Sequence, residues 1–247
     1  MLPVLYIVGD VHLTEGEGAF HAFLDHLAAR PAARLVILGD LFEYWLDTDA
    51  AVHRYRACLR RLVALRAAGW RLDLVIGNRE MGAGRRLAVA TRCQVHWPGL
   101  DLRLGGRGVR IVHGDRLCAD PGYHLLFAFI NGFWFRAWRA CVPEFVQERI
   151  ARWMRRRSRL GHLRKRRERS VVGARPDMLH AARVRAAGRC ADTVIAGHIH
   201  EQWRRPVAGV DVALVGDWTH TAGHWIEGCS DGSLRLRSYD FSDDAEE

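Results

Sequence analysis

Five times along this 247-residue chain a run of aliphatic or β-branched residues ends in a short polar cluster. LYIV precedes Gly9-Asp10-Val11-His12, RLVIL precedes Gly39-Asp40, and LDLVI precedes Gly77-Asn78-Arg79; VRIV precedes His113-Gly114-Asp115, and TVIA precedes Gly197-His198-Ile199-His200. Strands buried on both faces of a sheet read that way. Each cluster is therefore expected in the loop just past a strand's C-terminal end, the edge where open α/β sheets bind ligands. A single Asp, His or Asn after a strand is usually a turn or cap residue. Five clusters in register bring Asp10, His12, Asp40, Asn78, His113, His198 and His200 to one edge, and all seven can ligate a metal. The pattern predicts a two-metal hydrolytic site.

Between the clusters the period changes. Phe20, Phe23, Leu24 and Leu27 recur at helical spacing and stop before Pro31; Tyr55, Leu59, Leu62, Val63 and Leu65 mark a second helix closed by Gly69. A βαβαβ order implies a parallel sheet flanked by helices. From Pro121 the character shifts to an aromatic segment, YHLLFAFINGFWFRAW, and then to a very basic one, FVQERIARWMRRRSRLGHLRKRRER. Neither carries a strand signal, so residues 121–170 are expected to form a helical lid inserted between the fourth and fifth clusters. A further helix is expected over Pro176–Ala187. The segments VDVALVGDW, HWIEGCS and SLRLRSY are expected to be antiparallel strands completing a second sheet. Residues 1–242 thus read as a single domain of class α/β, with an acidic, disordered tail over 243–247.

Charge narrows the partners. The formal net charge is +9, and residues 149–169 hold eleven Arg or Lys against one acid, Glu168. Such a run suits nucleic acid, a phospholipid surface or a phosphorylated small molecule. Lys165 is the only lysine in the sequence. No stretch approaches the ~20 apolar residues of a membrane span, and MLPVLYIVGDVH reads as a strand, not a signal peptide. Cys58, Cys93, Cys118, Cys141, Cys190 and Cys229 are widely spaced without a C-x-x-C pair, which fits buried thiols in a reducing compartment. A cytoplasmic protein is expected.

The clusters also suggest a division of labour. Asp10 and His12 lie two residues apart on an extended segment and can grip one ion together, as can His198 and His200. Asp40, the sole ligand of its loop, suits the bridging carboxylate between two metals. Oxygen and imidazole donors without cysteine suit Mn²⁺, Fe²⁺ or Zn²⁺. Seven of the nine other histidines, His21, His26, His53, His96, His180, His220 and His224, read as ordinary core or surface groups.

The series D-x-H, G-D, G-N-[HR], H-G-D and G-H-x-H resembles that of the calcineurin-like metallophosphoesterases. GDLFEYWLD, GNRE, HGDRLCAD and LVGDW resemble one branch, the UDP-2,3-diacylglucosamine hydrolases of lipid A biosynthesis, over residues 5–237. The resemblance implies a four-layer αββα sandwich. It also implies two Mn²⁺ ions, one held by Asp10, His12, Asp40 and His200 and the other by Asp40, Asn78, His113 and His198. Arg79 stands where most calcineurin-like enzymes have a histidine that protonates the leaving group. Guanidinium is a poor proton donor but binds phosphate oxygens bidentately, which suits a diphosphate whose leaving group is already a stable anion. By the same resemblance Asp40, Asn78, Arg79 and His113 serve catalysis. Asn78, Arg79, Asp120, Tyr123, Ser158, His162, Lys165 and His198 then meet substrate. Glu80 departs from the Asp the branch has after GNR, His162 from an amide, and the ADPGYH loop in the placing of Pro121 and Tyr123.

The activity so implied is hydrolysis of UDP-2,3-diacylglucosamine to UMP and 2,3-diacylglucosamine 1-phosphate by a monomer on the cytoplasmic face of the inner membrane, with no nucleic-acid partner. Two rivals stay open on the residues alone. One is a nucleotide or nucleic-acid phosphodiesterase of the same fold with a phosphate-binding lid. The other is a lipid- or nucleic-acid-binding module that keeps its metals as structure. Phe129, Phe133, Trp134, Phe135 and Trp138 favour a lid that buries acyl chains.

Overall fold

A computed structural model describes residues 2–14, 18–80, 83–118, 137–138, 141–154 and 179–240. Most of the lid sequence and the acidic tail lie outside them. The aliphatic runs form strands β1 (Pro3–Val8), β2 (Arg34–Ile37), β3 (Arg71–Val75), β6 (Arg107–Val112) and β7 (Thr193–Ala196). Short strands β4 (Gln94–His96) and β5 (Leu100–Leu104) lie between β3 and β6, and β8 (Gln202–Val207), β9 (Val210–Val215), β10 (Ala222–Cys229) and β11 (Leu234–Asp240) follow β7.

The strands form two sheets, in the orders β11-β10-β1-β2-β3-β4 and β5-β6-β7-β9-β8. In the first, β1 to β4 are parallel; in the second, β6, β7 and β9 are parallel. Side chains alternate across each strand, and here both faces are buried. Leu5, Ile7, Val36, Leu38 and Val75 meet Val109, Ile111, Ile195, Ala213 and Val215 in a core between the sheets. Tyr6, Val8, Leu35, Ile37, Leu72 and Leu74 face outward under helices α1 (Ala19–Ala28) and α3 (Arg56–Ala67), where Phe23, Leu24, Leu27 and Leu62 cover them. On the far side Val194, Ala196, Val212 and Leu214 pack against Val184 of helix α5 (Ala181–Ala187). The fold is a four-layer αββα sandwich.

Two further helices, α2 (Asp49–Arg54) and α4 (Arg85–Thr91), flank the first sheet's loops. Residues 144–154 are also helical, and they are the longest described piece of the lid sequence.

The C-terminal strands depart from the expectation. Of the three expected strands only β9 joins the second sheet, where it runs parallel to β7 and antiparallel to β8. The pair β10 and β11 is antiparallel, as its alternation suggests, but it extends the first sheet through β10 on β1. A short aliphatic strand does not encode its neighbour, and the edge of β1 left open by β2 was the vacancy that β10 fills. The cysteines also depart in part: all six are free thiols, four of them buried, while Cys141 and Cys190 are exposed.

Candidate metal centre

All five strand-end loops converge on one end of the sandwich. Asp10, His12, Asp40, His198 and His200 all have left-handed backbones, with φ of 51°, 53°, 50°, 69° and 59°. Only two other described non-glycine residues share that region, Arg92 and Ala208. Asp and His tolerate it better than most residues, yet each such position still costs of order 1–3 kcal/mol. Five together at one edge are strain held in place by the sheets behind them. Gly39 and Gly77 let two loops touch: a Cβ on Gly39 would lie 2.5 Å from the Cα of Gly77. A Cβ on Gly197 would lie 2.5 Å from Oδ2 of Asp10.

The donors form two adjoining groups. Asp10, His12 and His200 make one, with the imidazole Nε2 atoms of His12 and His200 3.1 Å apart and Nε2 of His200 3.7 Å from Oδ1 of Asp10. Asp10, Asp40 and His113 make the other. Asn78 joins its rim, its Oδ1 2.9 Å from Nε2 of His113 and 3.1 Å from Nδ1 of His198. Asp40 spans the pair: Oδ2 lies 3.8 Å from Nδ1 of His12, and Oδ1 lies 3.6 Å from Nε2 of His113. Asp10 is the member common to the two carboxylate–imidazole groups, a position that sequence spacing did not distinguish.

The burial of these groups is hard to sustain without a cation. Asp10, Asp40 and His113 are essentially inaccessible to water. Oδ1 of Asp10 and Nδ1 of His12 are buried without a hydrogen bond, an expensive condition for polar atoms. Burial and the Arg79 charge hold the His12 imidazole neutral, down at about 2, and burial with the His113 charge brings His198 to about 4. Burial alone would do the same to His113, but Asp40 and Asp10 outweigh it and lift it to about 9. Burial also raises Asp10 to about 6. Neutral imidazoles beside crowded, buried carboxylates are a donor set that a divalent cation would suit. Mixed oxygen and imidazole donors fit a divalent transition metal.

Around this set stand residues beyond the seven predicted donors. Asp217 lies past β9 in a sixth strand-end cluster, Gly216-Asp217, and its Oδ2 is 3.4 Å from Nδ1 of His200. A carboxylate behind a ligating imidazole fixes its tautomer and orientation. His224, read from sequence as an ordinary histidine, bonds through Nδ1 to the Asp217 carbonyl at 2.8 Å. Glu80 is buried and accepts from the backbone N–H groups of Asp40 (2.8 Å), Gly77 (3.1 Å) and Phe42 (3.4 Å). Its extra methylene over Asp is accommodated, and the carboxylate ties two ligand loops together. Burial and the neighbouring Asp40 push it up to about 7.

Arg79 stands beside the donors. Its Nε donates to Oδ2 of Asp40 at 3.1 Å and its NH1 to Oε2 of Glu43 at 3.1 Å, while its backbone N–H donates to Oδ1 of Asp40 at 2.9 Å. Glu43 is thus a further site residue, and it orients the guanidinium. The remaining sequence-derived substrate residues, Asp120, Tyr123, Ser158, His162 and Lys165, lie outside the described residues, as do Phe129, Phe133, Trp134 and Phe135. Trp138 is described and half-buried.

Comparison with known proteins gives relatives that share one printed name. No family model matches the chain. A UDP-2,3-diacylglucosamine hydrolase of Pseudomonas savastanoi pv. phaseolicola is 28% identical over 246 residues, covering 96% of each chain. One of Escherichia coli O81 is 36% identical over 156 residues, 62% of this chain and 65% of the relative's length. Among solved structures, an archaeal phosphodiesterase aligns over 95% of this chain and 99% of its own, with 10% identity and a TM-score of 0.44.

Proposed function

We propose that this chain, a homologue of the UDP-2,3-diacylglucosamine hydrolases, hydrolyses the diphosphate of UDP-2,3-diacylglucosamine to UMP and 2,3-diacylglucosamine 1-phosphate. The observation that carries the reading is the convergence of five strained strand-end loops on one buried carboxylate–imidazole cluster, with Arg79 clamped at its side. Asp10, His12, Asp40 and His200 would hold one divalent ion, and Asp40, Asn78, His113 and His198 the other; manganese is the metal we expect. A bound metal pair lowers the pKa of a bridging water and neutralises charge on phosphoryl oxygens.

The chain's own residues do the rest. Asp40 and Glu43 fix the guanidinium of Arg79 at two of its nitrogens, so it meets a phosphoryl oxygen without first being ordered. A guanidinium is a poor proton donor, so this one would stabilise the departing sugar phosphate electrostatically and transfer no proton. Asp217 holds the ring of His200, and Glu80 holds the Asp40 and Asn78 loops in register. We further assign Asp120, Tyr123, Ser158, His162 and Lys165 to the lipid-linked UDP-sugar. The chain would act as a monomer, in one domain over residues 1–242, bound peripherally to the cytoplasmic face of the inner membrane. Among the described residues no helix is long and apolar enough to cross a membrane.

The test is UMP release from diacylated, monoacylated and unacylated UDP-glucosamine, beside bis-p-nitrophenyl phosphate and single-stranded DNA. Each buried methylene contributes roughly 0.8 kcal/mol, so kcat/KM should fall by orders of magnitude as the chains are removed. Equal values across the three sugars would remove acyl recognition. Faster cleavage of DNA would favour the nucleic-acid phosphodiesterase.

A further inference from the structure

The buried residues of the lid helix over 144–154 are both polar, Gln147 and Glu148. Gln147 stays within the lid, its Nε2 donating to the Val142 carbonyl at 2.7 Å. Glu148 reaches out of it. Its Oε2 accepts from the Tyr44 hydroxyl at 2.9 Å and from NH2 of Arg54 at 2.6 Å, while Oε1 accepts from the Thr48 hydroxyl at 3.0 Å. One turn earlier Glu144 accepts from NH1 of Arg86 at 3.0 Å, and the same nitrogen donates to the Asp47 carbonyl at 2.8 Å. Both ties therefore land on the segment after β2 that runs from Tyr44 to Arg54.

Tyr44 is the residue of that segment held at most points. The Arg54 guanidinium lies 4.7 Å over its ring, and the Tyr55 hydroxyl donates to its carbonyl at 3.1 Å. Burial and the Glu148 charge push its phenol above the usual tyrosine value, so the hydroxyl stays a donor. Hydrogen bonds to a carboxylate are roughly twice as strong as those between neutral groups. The two chain neighbours of Tyr44 both hold Arg79. Glu43 accepts from its NH1 at 3.1 Å, and the Trp45 N–H donates to its carbonyl at 2.9 Å. Three consecutive residues thus connect the lid carboxylate to the guanidinium beside the metal donors. The backbone joins them rigidly, so a displacement of Tyr44 carries Glu43 and Trp45 with it.

We infer that Glu148 is a positioning residue for Arg79, acting through Tyr44 and its neighbours Glu43 and Trp45, so that the lid helix and the guanidinium at the metal centre move as one unit. Without the carboxylate, Arg54 is left as a part-buried charge short of its partner and Tyr44 loses its acceptor. Arg79 would keep Asp40 but lose the fixed second point that sets its plane. The inference rests on the proposed role of Arg79 at the phosphoryl group.

A double-mutant cycle between Glu148→Gln and Arg79→Ala tests it, read as kcat on bis-p-nitrophenyl phosphate, which has no sugar or acyl chain for a lid to grip. Glu148→Gln alone should lower kcat by about tenfold, with metal content unchanged, as slight misplacement of a catalytic group does. On the Arg79→Ala background the same substitution should change kcat by less than about twofold, because coupled residues are not additive. The Arg79 Nε–H resonance should shift in Glu148→Gln, and deuterium uptake over 43–47 should rise. If that variant does not fold, Tyr44→Phe should give the same pattern at smaller size. Equal losses of kcat on both backgrounds would overturn the inference, as would an unmoved Arg79 resonance. A loss confined to KM for the UDP-lipid would also overturn it, placing Glu148 in substrate binding by the lid alone. Wild-type cleavage of bis-p-nitrophenyl phosphate without UMP release would count against the proposed substrate and leave the cycle intact. With neither substrate cut, the Arg79 resonance decides.

Discussion

The metal centre and the lid helix both bury charge, but they hold it by different means. At the centre, charged and polar groups come from five loops, each fixed by a strand on either side of a closed core, and the backbone itself is strained at five of the seven donors. On the lid helix one carboxylate, Glu148, is held by three side chains from another part of the chain. The first arrangement is rigid because the sheets over-determine it; the second depends on a few hydrogen bonds. Chemistry that needs donors placed within fractions of an ångström uses the first.

The largest effect should come from removing a donor from the centre. Asp40→Ala should abolish turnover and the binding of both metals, because Asp40 faces His12 through one oxygen and His113 through the other. Metal analysis of the purified variant checks it, and full occupancy with full activity would refute the ligand assignment. Next in size, Arg79→Ala should lower kcat on the UDP-lipid by more than about 10²-fold, as removal of one preorganised charge-stabilising group does. Glu43→Gln should lower it less, since Asp40 still holds the guanidinium. Full activity in Arg79→His would mean that the leaving group is protonated after all.

How far these residues were legible in the sequence follows the same division. Asp10, His12, Asp40, Asn78, His113, His198 and His200 sit where the aliphatic runs stop, and a run buried on both faces has a local signature. Gly216-Asp217 follows VDVALV in the same manner and could have been counted as a sixth cluster. Glu43 and Glu148 could not have been found so. Tyr44 and Glu148 are 104 residues apart in sequence, and a glutamate in a basic helix carries no mark of which side it faces. The sheet assignment of β10 and β11 was hidden for a related reason: alternation shows that they are strands, but pairing is decided by which edge is open.

Smaller effects sharpen the contrast away from both regions. Asp73 is fully buried between Nε of Arg34 at 2.8 Å and Nε2 of His96 at 2.6 Å. Burial pushes its carboxyl up, but those two hydrogen bonds and the nearby arginines outweigh it, and it is held below the usual carboxylate value. Such a group stabilises the fold above the unfolded-state value of about 3.9 and stops doing so as pH falls through its lower folded value. The Tm of Asp73→Asn should therefore lie below wild type at neutral pH, and the gap should close progressively as pH drops beneath about 4. A pH-independent gap would show that shape, not charge, is what Asp73 supplies. Smallest of all, His220→Ala should leave metal content and turnover near wild type, since this exposed histidine lies outside the donor groups.

Metal reconstitution measures directly whether a diphosphate is cut at a metal pair. The protein is stripped with a chelator and titrated with Mn²⁺ while UMP release from UDP-2,3-diacylglucosamine is followed in heavy-oxygen water. Turnover should be absent in the stripped protein, return as two ions bind per chain, and place the label in UMP. Release that survives stripping, or label in the sugar phosphate, would contradict it.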